Sequence, residues 1–274
     1  MNERRIEVTT LAGNERFQNG AQDYVAYLET PEGRLRTDLA FAHLEDFLPR
    51  SQPEKSLCAL DVGCGTGATA VRLAHLGMRV TLLDSSPAML DIAKRRALEA
   101  GVTDKIILRI GDATRLTNSF QTRSFDVILC HNVLEYLDDP IAVLRGAARA
   151  LRDSSAIVSL LVRNRAGEVF KAAIQAGDLA VAENNLTAEW GQESLYGARV
   201  RLFTSDSLRA MLQGVSLAVI GERGVRVLAD YLPSRISRSA DYDGIFELER
   251  KLGTQPEYAA VARYTQCFAR LLDD

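Results

Sequence analysis

The chain is poor in the residues that mark specialised chemistry. Its 274 residues include 4 cysteines, 3 histidines, 7 prolines and 1 tryptophan. Cys58, Cys64, Cys130 and Cys267 form no CxxC pair and no disulfide framework, as suits a reducing compartment. His43, His75 and His131 are scattered, so no zinc-ligand spacing arises and no metal is expected. The longest apolar stretch, Ala156 to Val162, is far too short to span a bilayer. The opening MNERRIEVTT lacks the apolar segment of a signal peptide. A cytoplasmic protein with no membrane contact is expected. A formal charge of -3 withholds the basic footprint of a DNA-coating protein. Selective RNA contact through a local patch stays open.

What is present is a globular composition, 47% hydrophobic and 25% charged, at a length that allows one or two domains. Residues 1–33 are polar and mixed and read as a partly ordered segment. Leu35, Leu39, Phe41, Leu44 and Leu48 recur at near-helical spacing up to Pro49, giving an N-terminal helical cap over 1–48 and a main domain over 49–274. From there strands alternate with helices. CALDV (58–62), RVTLLD (79–84), 105–110, 125–130 and 156–162 read as strands. Helices are expected over 66–76, from Pro87 to Gly101, and over 140–151. Such alternation implies a mostly parallel sheet with helices on both faces. Residues 163–203 read as a helical insertion, and TSDSLRAML as a capped helix. VSLAVIG and YAAVARYTQCFARL read as two late strands, with a helix near 241–252 between them.

The sharpest signal is Asp61-Val-Gly63-Cys64-Gly65-Thr-Gly67, leaving the first strand. Glycines there allow a tight turn and close approach of a ligand to the main chain. Asp84 ends the second strand, where a carboxylate can accept from both ribose hydroxyls of a nucleoside cofactor. The loop also satisfies G-x-G-x-x-A with Ala68, so a dinucleotide-binding Rossmann module competes. Three features tilt against it. Asp61 stands two residues before Gly63, within reach of a cofactor's amino group. Gly111-Asp112-Ala113 closes the third strand, and HNVLEYLDDP follows the fourth. All these endings converge on one crevice at the carboxyl edge of a parallel sheet.

DVGCGTG, LLDSSPAML, GDA and LCHNVLEYL resemble the successive motifs of class I S-adenosylmethionine (SAM)-dependent methyltransferases. The resemblance implies a Rossmann-like α/β fold: a seven-stranded, mostly parallel sheet whose last strand is antiparallel. It implies SAM as cofactor, with Gly63, Cys64, Gly65 and Gly67 beneath its methionine and ribose and Asp84 on the ribose. Ser85 and Met89 would flank the adenine, Asp112 and Ala113 would meet its edge, and His131 would contact SAM by position. GRLR (33–36), the Asn164 turn, GVRVLADYL (224–232) and QPEYAAVARYTQ (255–266) resemble the bacterial tRNA 5-carboxymethoxyuridine methyltransferases. That likeness implies tRNA as partner, and Arg36 as a contact to SAM's carboxylate.

Methyl transfer from a sulfonium is an in-line displacement, in which positioning can supply about 7–11 kcal/mol. A carboxylate acceptor is already ionised near neutrality and needs no general base. It needs an orienting clamp, for which Arg201, Arg226 and Tyr231 are the candidates. Arg163, Arg165, Arg199, Arg201, Arg223 and Arg226 are candidates for a cationic patch around the pocket. Cys130 reads as strand core rather than nucleophile. No Pro-Pro-Tyr motif of an amine methylase and no Pro-Cys nucleophile is present. A SAM-dependent O-methyltransferase acting on a small metabolite is the alternative.

Overall fold

The computed structural model describes residues 15–50, 56–193, 195–232 and 242–272. The chain opens with α1 (15–19), α2 (Ala21–Glu29) and α3 (Pro31–Glu45). It continues through β1 (Cys58–Val62), α4 (Ala68–His75), β2 (Arg79–Asp84), α5 (Pro87–Glu99) and β3 (Ile106–Ile110). Next come α6 (Leu116–Ser119), β4 (Val127–His131), α7 (Pro140–Ala150) and β5 (Ile157–Arg163). After α8 (Arg165–Phe170) and α9 (Leu179–Asn185) lie β6 (Trp190–Gln192), β7 (Arg199–Arg201), α10 (Ser205–Gln213) and β8 (Leu217–Val225). The last described elements are α11 (Tyr242–Gly253), α12 (Pro256–Ala259) and β9 (Tyr264–Leu271).

Local chemistry explains the helix starts. The Ser86 hydroxyl accepts from Met89 N and Pro87 takes the first turn of α5. Asp139 and Pro140 do the same for α7, and Thr30 and Pro31 for α3. Thr204 and Ser207 form a capping box at α10.

Seven strands form one sheet in the order β3-β2-β1-β4-β5-β9-β8. β1 to β5 are mutually parallel, and β9 runs antiparallel to both β5 and β8. This is the expected α/β architecture. Alternate residues of the central strands serve two cores. Leu60, Val62, Ile128 and Cys130 pack with Val143 and Leu144 of α7 and Leu208 and Leu212 of α10. Ala59, Val127 and Leu129 pack on the other face with α3, α4 and α5, through Leu44, Leu73 and Leu90. Being covered on both faces is why these strands read as continuous apolar runs.

The N-terminal segment is helical from residue 15 onward, as expected of a helical cap. Two expectations are corrected. The insertion is only half helical: α8, a π-turn (Lys171–Gln175) and α9 give way to an antiparallel hairpin of β6 and β7. The final strand begins at Tyr264 rather than Tyr258, because Pro256 starts the short helix α12. No described helix is long and apolar enough to cross a membrane. Among the described residues no group of three or more His, Cys, Asp or Glu is arranged to hold a metal.

Candidate active site

A cavity of about 1340 Å³ opens at the carboxyl ends of β1, β2, β4 and β5. That exceeds the roughly 300–1,000 Å³ of a usual single-ligand site. One wall is the glycine loop. Gly63, Gly65 and Gly67 have φ of 64°, 52° and 69°, a region costly for residues with a Cβ. At Gly63 a Cβ would also lie 2.3 Å from Val133 Cγ2. Gly63 N and Cys64 N donate to Leu83 O, which ties the loop to the end of β2. The Asp84 carboxylate is fixed by two backbone donors, Gly65 N at 2.8 Å and Ser86 N at 2.9 Å. Each oxygen keeps a second lone pair, and Asp84 lines the cavity.

Ser85, Met89, Asp112 and Ala113 continue this wall. Met89 is buried against Ala21 and Ile92. Asp112 Oδ1 accepts from Thr114 N and Thr114 Oγ1, both at 2.8 Å, which holds the turn after β3.

Behind the loop lies a smaller pocket lined by Asp61, Gly63, Cys64, Arg36 and His131. Burial and the nearby Asp84 carboxylate push the Asp61 carboxyl up to about 7. Such a group favours a cationic neighbour. Arg36 is buried and donates to the Tyr24 hydroxyl at 2.9 Å. Burial alone would lower its pKa, but the phenols of Tyr24, Tyr27 and Tyr264 outweigh it and hold the guanidinium charged. His131 lies 2.8 Å from Ser159 Oγ; burial, reinforced by Arg36, lowers its pKa to about 3. A neutral imidazole so far from neutrality is no general base at physiological pH. Burial likewise pushes the Cys64 and Cys130 thiols up, which suppresses the thiolate a nucleophile needs.

The opposite end of the cavity is cationic. Because β9 runs against its neighbours, its first residue sits at the carboxyl edge of the sheet. Tyr264 pairs with Arg163, the last residue of β5, and with Val225, the last of β8. Arg163, Arg226, Arg263 and Tyr264 therefore meet at one place, and all four line the cavity. Glu168 bridges Arg163 at 2.9 Å and Arg263 at 2.7 Å. Asp230 pairs with Arg226 and lies 3.7 Å from Arg263 Nε. Arg226 also donates to the Tyr27 hydroxyl at 3.1 Å. Its φ is 62°, a left-handed conformation rare for a residue with a long side chain. Strain of that kind persists only where surroundings over-determine it, as these ion pairs and the Arg263 N–H donated to Arg226 O do here.

Among the residues singled out in the sequence, Arg36, Gly63, Gly65, Asp84, Ser85, Met89, Asp112, Ala113, His131 and Arg226 line the large cavity. Asp61 and Cys64 line the pocket behind it, and Gly67 lies at the start of α4. Of the rest, Arg201 and Tyr231 reach neither pocket. The Arg201 guanidinium stacks on Trp190, 4.4 Å from its ring centre, in the hairpin. The Tyr231 hydroxyl turns toward Gly167 O at 3.5 Å. The six-arginine patch does not assemble either: Arg199 also stacks on Trp190, and Arg223 on Phe47. Sequence reading missed Arg263, Tyr264, Tyr24 and Tyr27. The available signal was Arg263 and Gln266, polar residues inside an otherwise apolar strand approach.

Residues 60–159 match the methyltransferase domain family. The chain is 30% identical over 248 residues to the tRNA 5-carboxymethoxyuridine methyltransferase of Escherichia coli (strain K12), covering 88% of this chain and 90% of the relative. It is 35% identical over 115 residues to the ubiquinone biosynthesis O-methyltransferase of Xanthomonas oryzae pv. oryzae (strain PXO99A), covering 42% of this chain and 46% of that one. Its fold matches the crystal structure of a SAM-dependent methyltransferase from Thermotoga maritima, with a TM-score of 0.63, 15% identity and coverage of 94% and 99% of the two chains. The glycine turn, the anchored Asp84 and the Asp61 carboxyl that favours a cation suit SAM as their ligand. The chain is a SAM-dependent methyltransferase and belongs to the family of the E. coli tRNA 5-carboxymethoxyuridine methyltransferase.

Proposed function

We propose that this enzyme methylates the carboxylate of 5-carboxymethoxyuridine at the wobble position of tRNA, giving the methyl ester. The observation that carries the reading is the charge at the acceptor end. Arg163, Lys171, Arg226 and Arg263 line it. Among the described residues only Glu168 and Asp230 are ion-paired to them. A buried cationic excess of this kind calls for an anionic ligand. The acidic wall of Asp84 and Asp112 lies at the other end, where a nucleoside offers hydroxyl and amino donors.

In this reading Asp84 holds the ribose, Ser85, Met89, Asp112 and Ala113 surround the adenine, and Asp61 and Arg36 take the amino and carboxylate groups of the methionine. SAM supplies the electrophilic methyl group. Arg226, with Arg163 and Arg263, orients the acceptor's carboxylate, replacing Arg201 and Tyr231 in that role. An ionised carboxylate attacks without a base, which agrees with a neutral His131. Arg199 and Arg201 of the hairpin lie outside the cavity, where the RNA backbone would pass.

The test is transfer of label from tritiated SAM to bulk tRNA from a strain that lacks the ester but makes its carboxylate precursor. Alkali-labile label on the wobble nucleoside is expected. Label accepted only by small-molecule extracts would replace this reading with the metabolite O-methyltransferase.

A further inference from the structure

Tyr264 is the residue of the acceptor end to which the reaction above gives no task. It is buried, yet it lines the cavity. Arg163, Arg36 and Arg263 place their guanidinium carbons 5.6, 5.8 and 6.0 Å from its ring centre. These cations come from three separate elements: β5, α3 and the approach to β9 itself. The other ionisable groups around it are Tyr24 and Tyr27 of α2, Arg226 after β8, Asp230 beyond it, and Glu168 and Lys171 on and after α8. Glu135 lies further back, beside Arg163, with its carboxyl pushed up by burial. The five cations therefore face two ion-paired carboxylates and three phenols, of which Tyr264 stands among the most guanidiniums. Burial alone would push the phenol up; Arg163, Arg36, Arg226 and Arg263 outweigh it and bring it down to about 7.

We propose that Tyr264 is a positioning residue that stands in for the acceptor's carboxylate among the arginines, takes up a proton when that carboxylate arrives, and then donates its O–H to it. This rests on the carboxylate reading above. The exchange follows from electrostatics: a second anion among the same guanidiniums cancels the potential that keeps the phenol ionised. One proton comes from solvent as the acceptor binds. During transfer the carboxylate oxygen–methyl bond forms and the sulfur–methyl bond breaks, turning the sulfonium into a thioether. The ester carries no charge, so on its release the phenol returns its proton to solvent.

The sign of the pH dependence is then set. Below its pKa, which is about 7 in the cofactor-free protein, the phenol already holds its proton and the acceptor binds freely. Above it, binding must be accompanied by protonation, so acceptor kcat/KM at saturating SAM falls by up to about tenfold per pH unit. The loss sits in KM, with kcat nearly level. Tyr264→Phe flattens the profile and raises the acceptor's KM at acidic pH. A uniform loss that keeps the wild-type slope would reduce Tyr264 to a structural role and overturn the proposal. So would a rate that climbs with pH and a Tyr264→Phe variant crippled in kcat, since a phenolate acting as base implies a hydroxyl acceptor.

A second measurement needs neither tRNA nor the variant. With S-adenosylhomocysteine bound, methoxyacetate is titrated into the wild-type enzyme at neutral pH. The tyrosinate absorption band should shrink with methoxyacetate and stay constant with its methyl ester. No change, or an equal change with inorganic phosphate, overturns the carboxylate role. If tRNA accepts no label but methoxyacetate still bleaches the band, the tRNA reading fails while the role of Tyr264 stands.

Discussion

At the scale of single residues, two ionisable groups near neutrality pull in opposite directions. Asp61 titrates at about 7 because burial and Asp84 oppose its charge. If it receives the amino group of SAM, it must be ionised to do so. Its protonation then competes with binding, and SAM affinity falls as pH drops below about 7, by up to tenfold per unit. Calorimetry of SAM binding across the neutral range checks this; the slope should vanish in Asp61→Asn. A slope that survives in that variant would take Asp61 out of the amino-group site.

The same residues show what a sequence can carry. Asp84, Gly63 and Asp61 were legible because one strand, its turn and the end of the next strand are local patterns with fixed spacing. Arg263 and Tyr264 were not, because their meaning depends on pairing with Arg163 across a long separation in the chain. Arg201 was misplaced for a related reason. A three-residue strand has no readable period, so nothing in the sequence says that both arginines of β7 flank Trp190.

Among the elements, α8 carries the largest electrostatic responsibility. Its Glu168 is buried between Arg163 and Arg263, which drive its pKa down against the effect of burial. Removing one charge from such a group leaves the others uncompensated, typically at a cost of about 3–5 kcal/mol. Glu168→Gln keeps the shape and the hydrogen-bonding oxygen, so about 3 kcal/mol is expected, or a melting temperature lower by roughly 10 °C. Thermal denaturation without ligand measures it. A shift of only a degree or two would mean that solvent or other carboxylates neutralise the pair of arginines. Strands β1 to β5 were read within a few residues, since their apolar runs are bounded by turns. The insertion was harder: α8 and α9 are short, and the exposed Ile174, Leu179 and Leu186 dilute any amphipathic pattern.

Across the whole molecule, the mostly parallel sheet followed from strand–helix alternation, and the antiparallel last strand from the family resemblance. The division of the cavity into an acidic and a basic end did not, because it arises only when β5, β8 and β9 lie side by side. Charge balance over the chain is no guide to it: a net charge of -3 conceals a local cationic excess.

The position of β9 has a mechanical consequence. Among the described residues β8 is hydrogen-bonded to the sheet only through it. β9 is thus the backbone rivet between an outer flap and the central slab. β8 has a hydrogen-bonded neighbour on one side and β9 on both, so mass spectrometry of deuterium uptake should show β8 exchanging no later than β9. If that rivet loosens, the basic end of the cleft comes apart while the cradle for the nucleoside keeps its shape.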